Sequence, residues 1–154
     1  MANTFTQINI HAVFCVKGRG NVLSDHFRPK LFSYINGILN NHKNYSLAVN
    51  GYKDHVHIFF ELNPSMSVSD VLRLVKTNSS RWINENGFVQ GKFEWQEGYG
   101  AFSYSKSQRN DVIDYIKKQE EHHGKDSFRD EYLSLLRKFD IEFDDRYLFE
   151  FYDD

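Results

Sequence analysis

The fold of this chain is decided by residues 54–60, which read DHVHIFF. A short run of apolar, β-branched and aromatic residues is typical of a buried β-strand. Successive side chains of a strand point to opposite faces, so His55 and His57 share one face with Cα atoms roughly 7 Å apart. Val56 and Ile58 then face the other side. Two neutral imidazoles are candidate ligands for a divalent metal, but the same pattern also fits two hydrogen-bonded histidines in a sheet.

Length and composition indicate one globular domain, residues 1–154. Of the 154 residues, 40% are hydrophobic and 16% aromatic, which is enough for one core. The single cysteine, Cys15, excludes an internal disulfide and favours a reducing compartment. No apolar run approaches the roughly 20 residues that span a bilayer, and no signal-peptide pattern is present. We therefore expect a cytoplasmic protein with no membrane association.

Charge is distributed unevenly along the chain. The formal net charge is −2, but residues 1–110 carry +5 and residues 111–154 carry −7. Nucleic-acid binding depends on the local potential more than on the total charge. A basic body with an acidic tail is therefore compatible with a phosphate-binding face. The alternative is that the C-terminal acids only solvate the last helix and the tail.

Hydrophobic periodicity predicts the element order β-α-β-β-α-β-α-α. A β-α-β-β-α-β core is the ferredoxin-like arrangement, an α+β fold in which helices pack on one face of an antiparallel sheet. We expect this core over about 5–104, with His55 and His57 on the open face of the sheet. The third helix is expected over about 106–122, and a C-terminal helix with an acidic tail over about 127–154. The expected strands are 6–16, 45–50, 54–60 and 93–104, and the two core helices are expected to run from about 24 to 41 and from 67 to 86.

The third predicted helix carries a second group of chemically useful residues. Tyr115 and Gln119 are four residues apart, so they share a helix face with Cβ atoms roughly 5–6 Å apart, and His123 extends that face. A tyrosine hydroxyl can attack phosphorus and form a covalent ester. Its ordinary pKa is about 10, so it needs a nearby cation or base near neutral pH. The alternative is a core tyrosine beside a solvated glutamine.

Together these residues resemble a known family. His55-Val56-His57 is similar to the H-U-H motif, where U is apolar, of HUH-type single-tyrosine transposases from small bacterial insertion sequences. The same three residues also resemble the H-U-H motif of the related REP-associated tyrosine transposases. Tyr115 with Gln119 resembles the catalytic helix of this family. The resemblance extends over most of the chain, because segments 11–19, 76–81, 95–102 and 115–123 also match in order and spacing.

The resemblance implies a mechanism and a cofactor. Tyr115 would attack a scissile phosphate in single-stranded DNA, leaving a 5′-phosphotyrosine and a free 3′-hydroxyl. A 3′-hydroxyl of another strand would then rejoin the DNA. His55, His57 and Gln119 would hold Mg²⁺ or Mn²⁺. Because two imidazoles favour Mn²⁺ or another transition ion, the expectation of Mg²⁺ rests on the resemblance. Protonation of the two histidines predicts loss of activity below about pH 6.

The resemblance also implies macromolecular partners. We expect the protein to bind single-stranded DNA with hairpin ends, at the ends of an insertion sequence. We also expect a homodimer with joined sheets, in which the tyrosine helix of one subunit completes the metal site of the other. The basic and aromatic residues that are candidate DNA contacts are Lys17, Arg19, Lys76, Arg81, Tyr104, Lys106 and Arg109.

Two other functions stay open from the sequence. A non-catalytic single-stranded nucleic-acid-binding module could use the same fold, but it would leave Tyr115 and Gln119 without a role. A metal-dependent phosphodiester hydrolase would use water as its nucleophile, with His122 or His123 completing the site. This second alternative predicts that Tyr115→Phe stays active, whereas a transposase loses activity. A host-adopted relative that cleaves DNA without moving an element has the same sequence signature.

Overall fold

The structure, a computed structural model, describes residues 3–18 and 20–152 and is built on one antiparallel sheet. The strand order is β2-β3-β1-β4, which is the ferredoxin-like order. The predicted α+β fold class is confirmed. The strands are β1 (Asn9–Cys15), β2 (Tyr45–Gly51), β3 (His55–Glu61) and β4 (Gly100–Tyr104).

One face of the sheet packs against the two core helices, α1 (Arg28–Asn41) and α2 (Val68–Asn86). Val56 and Ile58 point into this core and are completely buried, as their alternation with the histidines predicts. Full burial of each such side chain contributes roughly 1.5–3 kcal/mol. The apolar positions of β3 therefore fix which face the histidines occupy.

The ends of the core helices follow local signals, with one exception. The Ser67 side chain accepts a hydrogen bond from the Asp70 N–H, and Gly87 ends α2 with a left-handed φ of 61°. By contrast, α1 begins at Arg28 and not at the predicted residues near 24, which lie before the helix. Pro29 explains the later start, because proline lacks an N–H and is favoured in the first helical turn.

The second face of the sheet is covered, so the expectation of an open face was wrong. The helices α3 (Arg109–Lys117), α4 (Gln119–His123) and α5 (Phe128–Lys138) all follow β4 in the chain. In this layer, α3 packs on β2 and β3, while α5 packs on β1 and β4. The apolar stripes of α3 and α5 explain the coverage, because each stripe requires a partner surface.

Two predicted elements are shorter than expected. The third helix is divided at Lys118, where ψ is 22°, into α3 and α4, although the predicted capping box at Ser105 is present. The predicted strand over 93–104 is reduced to β4, preceded by one bridge between Trp95 and Val16. Gly98 has a φ of 84°, which interrupts an extended strand. Within the described residues, no helix has both the length and the apolar character needed to cross a bilayer.

Candidate metal and tyrosine site

Two histidines of β3 and one glutamate of α5 form the centre of the site. His55 and His57 are completely buried on the face covered by the C-terminal helices. Their Nε2 atoms each lie 3.2 Å from Glu131 Oε1. The Nε2 atom of His123, at the end of α4, lies 3.0 Å from the same oxygen. Three imidazole nitrogens therefore converge on one carboxylate oxygen.

Gln119 joins this cluster with its amide oriented by two sets of partners. Its Oε1 atom lies 3.0 Å from His55 Nε2 and 3.1 Å from His123 Nε2. Its Nε2 donates a hydrogen bond of 2.9 Å to Glu131 Oε2. The structure thus brings Gln119 to His55 of the same chain, despite the break at Lys118. Its role as a metal ligand stays a prediction.

Each histidine of β3 is also held through its other ring nitrogen. His55 Nδ1 lies 2.7 Å from Asp54 Oδ1, and His57 Nδ1 lies 2.8 Å from His11 Nε2. A metal-ligating histidine is usually oriented in this way by a partner of its second nitrogen. The ring of Phe128 stacks on that of His55 with centroids 4.1 Å apart, which further limits rotation.

These residues fit a divalent metal ion by the chemistry of their donors. The potential ligand atoms of His55, His57 and Glu131 lie within 4.8 Å of one another. Two imidazoles with one carboxylate form a donor set that binds transition metals such as Mn²⁺, Fe²⁺ or Zn²⁺. The Gln119 amide oxygen adds a neutral oxygen donor at the same point.

The charges in this cluster are strongly coupled. Burial lowers the pKa of His55, but the hydrogen bonds with Asp54 and Glu131 outweigh it and raise the pKa to about 9. For His57, burial outweighs the attraction of Glu131, and the pKa is lowered. Burial raises the pKa of Glu131, but His57 and the hydrogen bonds from His123 and His55 lower it far more. The metal-free protein therefore pairs a His55 imidazolium with a Glu131 carboxylate.

Tyr115 is connected to the same carboxylate. Its hydroxyl donates a hydrogen bond to Glu131 Oε2, and its ring lies 5.9 Å from that of His57. Burial and the negative charge of Glu131 raise the pKa of Tyr115 well above its usual range. Tyr115 is therefore a neutral phenol here. It borders a cleft of about 510 Å³ between α3, α4 and α5, which His122 and Lys138 also line.

Glu131 was not predicted from the sequence, although a local signal exists. It lies three residues after Phe128 and four before Leu135, so it falls within the buried stripe of α5. A carboxylate at such a position is rarely left buried without a partner. This pattern marks Glu131 as unusual, but it does not identify the histidines as its partners.

Several candidate DNA contacts already have partners within the protein. Lys76 Nζ donates hydrogen bonds to the backbone oxygens of Gln96, at 2.7 Å, and of Gly98, at 2.9 Å. Arg109 forms an ion pair with Glu61 between the start of α3 and the end of β3. Both side chains therefore bind other parts of the protein, and their contact with DNA stays a prediction.

The other candidate DNA contacts are closer to solvent. Lys17 and Glu94 form an exposed ion pair of 3.5 Å, and Arg81 bonds to Asn78 of its own helix. Arg19 lies outside the described residues. Lys106 is exposed, while Tyr104 is half-buried beneath Lys138, whose Nζ lies 5.3 Å from the ring centroid.

A ferredoxin-like sheet with paired histidines facing a tyrosine on an added helix places the chain among single-tyrosine transposases, as the sequence predicted. The model of the family "Transposase IS200 like" matches residues 4–119, and the chain belongs to this family. Glu131 and α5 lie beyond the matched residues. No protein of curated function matches the chain.

Two solved structures have a similar fold. One is a candidate transposase from Deinococcus radiodurans R1, with a TM-score of 0.60 and 20% identity, covering 77% of this chain and 95% of that one. The other is a REP-associated tyrosine transposase bound to a REP hairpin. It has a TM-score of 0.58 and 15% identity and covers 80% of this chain and 73% of that one. At these identities, the likeness shows the fold.

Proposed function

We propose that this transposase cleaves and rejoins single-stranded DNA with Tyr115 as its nucleophile, through a 5′-phosphotyrosine intermediate. The observation that carries the proposal is the shared carboxylate of Glu131. One of its oxygens faces the nitrogens of His55 and His57, and the other accepts the hydrogen bond of Tyr115. A nucleophile and a metal-binding cluster therefore meet at one residue.

We further propose that His55, His57 and Glu131, together with Gln119, hold a divalent metal. When bound, the ion polarises the scissile phosphate and stabilises the charge that develops on it. The donor set favours Mn²⁺ or another transition ion, while Mg²⁺ is the expectation from the resemblance. Asp54 orients His55 so that, once Nε2 gives up its proton, the Nε2 lone pair faces the site.

The reaction of Tyr115 conserves phosphodiester bonds. A bond forms between the Tyr115 oxygen and phosphorus, and the bond from phosphorus to the 3′-oxygen breaks. Because Tyr115 is a neutral phenol, its proton passes to Glu131 Oε2, the acceptor already in contact, as the new bond forms. The departing 3′-oxygen takes up a proton from water and leaves as the 3′-hydroxyl. In the second step, the 3′-hydroxyl of another strand attacks the phosphotyrosine, and the bond between phosphorus and the Tyr115 oxygen breaks. The hydroxyl gives up its proton and the released Tyr115 oxygen takes one up, which restores the neutral phenol. No nucleotide cofactor is needed, since each step exchanges one ester for another.

The DNA substrate we propose is a single strand with hairpin ends. The solved relative bound to a REP hairpin supports this substrate class. In the structure, Tyr115 meets the histidines of its own chain, which supports catalysis within one subunit. A homodimer in which the tyrosine helix of one subunit completes the metal site of the other stays a prediction.

One observation favours a second candidate, a hydrolase with a water nucleophile. His123 Nε2 lies 3.0 Å from Glu131 Oε1, so His123 is close enough to the cluster to serve as a further ligand. This enzyme would cleave DNA without a covalent intermediate. Tyr115 would then contribute only packing and one hydrogen bond.

A denaturing gel separates the two candidates. Labelled single-stranded DNA with the flanks of the gene is incubated with wild type or Tyr115→Phe, with Mn²⁺ or with chelator. We expect a metal-dependent covalent protein–DNA band that disappears in Tyr115→Phe and persists in Tyr147→Phe, a control at a largely exposed tyrosine. Cleavage without a covalent band, unchanged in Tyr115→Phe, would establish the hydrolase and overturn the proposal.

A further inference from the structure

His11 is a buried histidine that the proposed chemistry does not yet use. It lies on β1 opposite Phe59, on the sheet face that carries His57, and it is completely buried. Its Nε2 atom lies 2.8 Å from His57 Nδ1, and the two rings have centroids 5.0 Å apart. Its Nδ1 atom has no hydrogen-bond partner among the described residues. A polar ring is therefore buried with a single polar contact, which is to a histidine of the metal cluster.

The protonation of a ligating imidazole explains why that contact matters. A neutral imidazole carries one N–H donor and one lone pair, on different nitrogens. If His57 binds a metal through Nε2, its proton must be on Nδ1, which then requires an acceptor. His11 Nε2 is the hydrogen-bond partner of His57 Nδ1 in the structure. His55 meets the same requirement with a carboxylate, that of Asp54.

The surroundings of His11 allow it to act as that acceptor. An imidazole accepts a hydrogen bond only while it is neutral, because both nitrogens of the charged ring carry protons. His11 is completely buried, and its Nε2 contacts another imidazole instead of a carboxylate, so its surroundings favour the neutral ring. The rings of Phe102 and Tyr104 pack beside it at 5.8 and 6.2 Å between centroids, which restricts its rotation.

We propose that His11 is a positioning residue of the metal site. Its Nε2 accepts a hydrogen bond from His57 Nδ1, which fixes the tautomer and orientation that direct His57 Nε2 to the metal. This inference rests on the metal site of the proposed function. It adds a residue from β1 to a cluster whose other members come from β3 and the C-terminal helices. The two proposed ligands then differ in their hydrogen-bond partners, because His55 has the carboxylate of Asp54 and His57 has the neutral ring of His11.

The test compares two substitutions of His11 with a packing control. His11→Leu removes the acceptor, whereas His11→Gln places an amide near the position of Nε2. Phe102→Leu changes the packing beside His11 but removes no hydrogen-bonding group from either histidine. Mn²⁺ affinity is measured by competition with a fluorescent chelator, and the His57 tautomer by ¹⁵N NMR of the Zn²⁺-loaded protein. Thermal unfolding of the metal-free proteins confirms that each variant is folded.

We expect His11→Leu to weaken Mn²⁺ binding by about 10–100-fold, the usual effect of losing such a partner. His11→Gln and Phe102→Leu should stay within a few-fold of wild type, and the NMR spectrum of wild type should show His57 protonated on Nδ1. Equal affinity in His11→Leu and wild type, or a loss as large in Phe102→Leu, would overturn the positioning role alone. A wild type that binds no Mn²⁺ would overturn the metal site of the proposed function as well.

Discussion

Substitution of Glu131 by glutamine provides a quantitative test of the cluster. The change keeps the side-chain volume but removes the carboxylate that faces His55, His57 and Tyr115. The pKa of His55 is raised to about 9 in the folded metal-free protein, against an ordinary 6.5. A raised pKa gives stability that is fully present below 6.5 and is lost as the pH rises through 9. At about 1.4 kcal/mol for each pH unit, the full contribution is about 3–4 kcal/mol, of which roughly 2–3 kcal/mol is lost between pH 6.5 and pH 9.

The assay is urea unfolding of the metal-free protein in chelator at pH 6.5 and pH 9. We expect wild type to lose roughly 2–3 kcal/mol of unfolding free energy between these values. Glu131→Gln should lose clearly less, because only Asp54 then stabilises the His55 imidazolium. Asp130→Asn, at an exposed neighbour on the same helix, should behave as wild type. Equal pH dependence in wild type and Glu131→Gln would show that Glu131 does not stabilise the His55 imidazolium.

Two other predictions concern the metal and the fold. Since the raised pKa of His55 keeps it protonated at pH 7, metal binding should release about one proton there, measurable by titration calorimetry in buffers of different ionisation enthalpy. Protons and the metal then compete for His55 above the limit of about pH 6 that unperturbed histidines would set. Zero proton release would contradict the role of His55 as a ligand. Ser67→Ala removes the cap of α2 and should cost about 1 kcal/mol of unfolding free energy without changing DNA cleavage, whereas a large loss of cleavage would contradict a purely structural role.

The fold was predictable because its signals are local. The alternation in residues 54–60 fixed the two faces of β3, and periodicity separated helices from strands. The predicted element boundaries were wrong where local signals compete. Helix α1 begins at Arg28, next to Pro29, and not at the expected cap near residue 24. Gly98 similarly ended the extended conformation before β4.

The site was predictable only in part, because some of its members meet through tertiary packing. His55 and His57 are two residues apart and Tyr115 and Gln119 four, so each pair follows from element geometry. Glu131 reaches the histidines only because α5 docks on the second face of the sheet, which the periodicity of α5 alone does not specify. The docking of α5 also buries the sheet face that was expected to be open to solvent.

The most direct measurement for the central claim is peptide mapping of the covalent complex. The protein is reacted with single-stranded DNA in Mn²⁺, and the adduct is digested with protease and nuclease and identified by mass spectrometry. The proposed function predicts a 5′-nucleotide attached to the peptide that contains Tyr115. A covalent nucleotide on another tyrosine, such as Tyr104 in the same cleft, would contradict it.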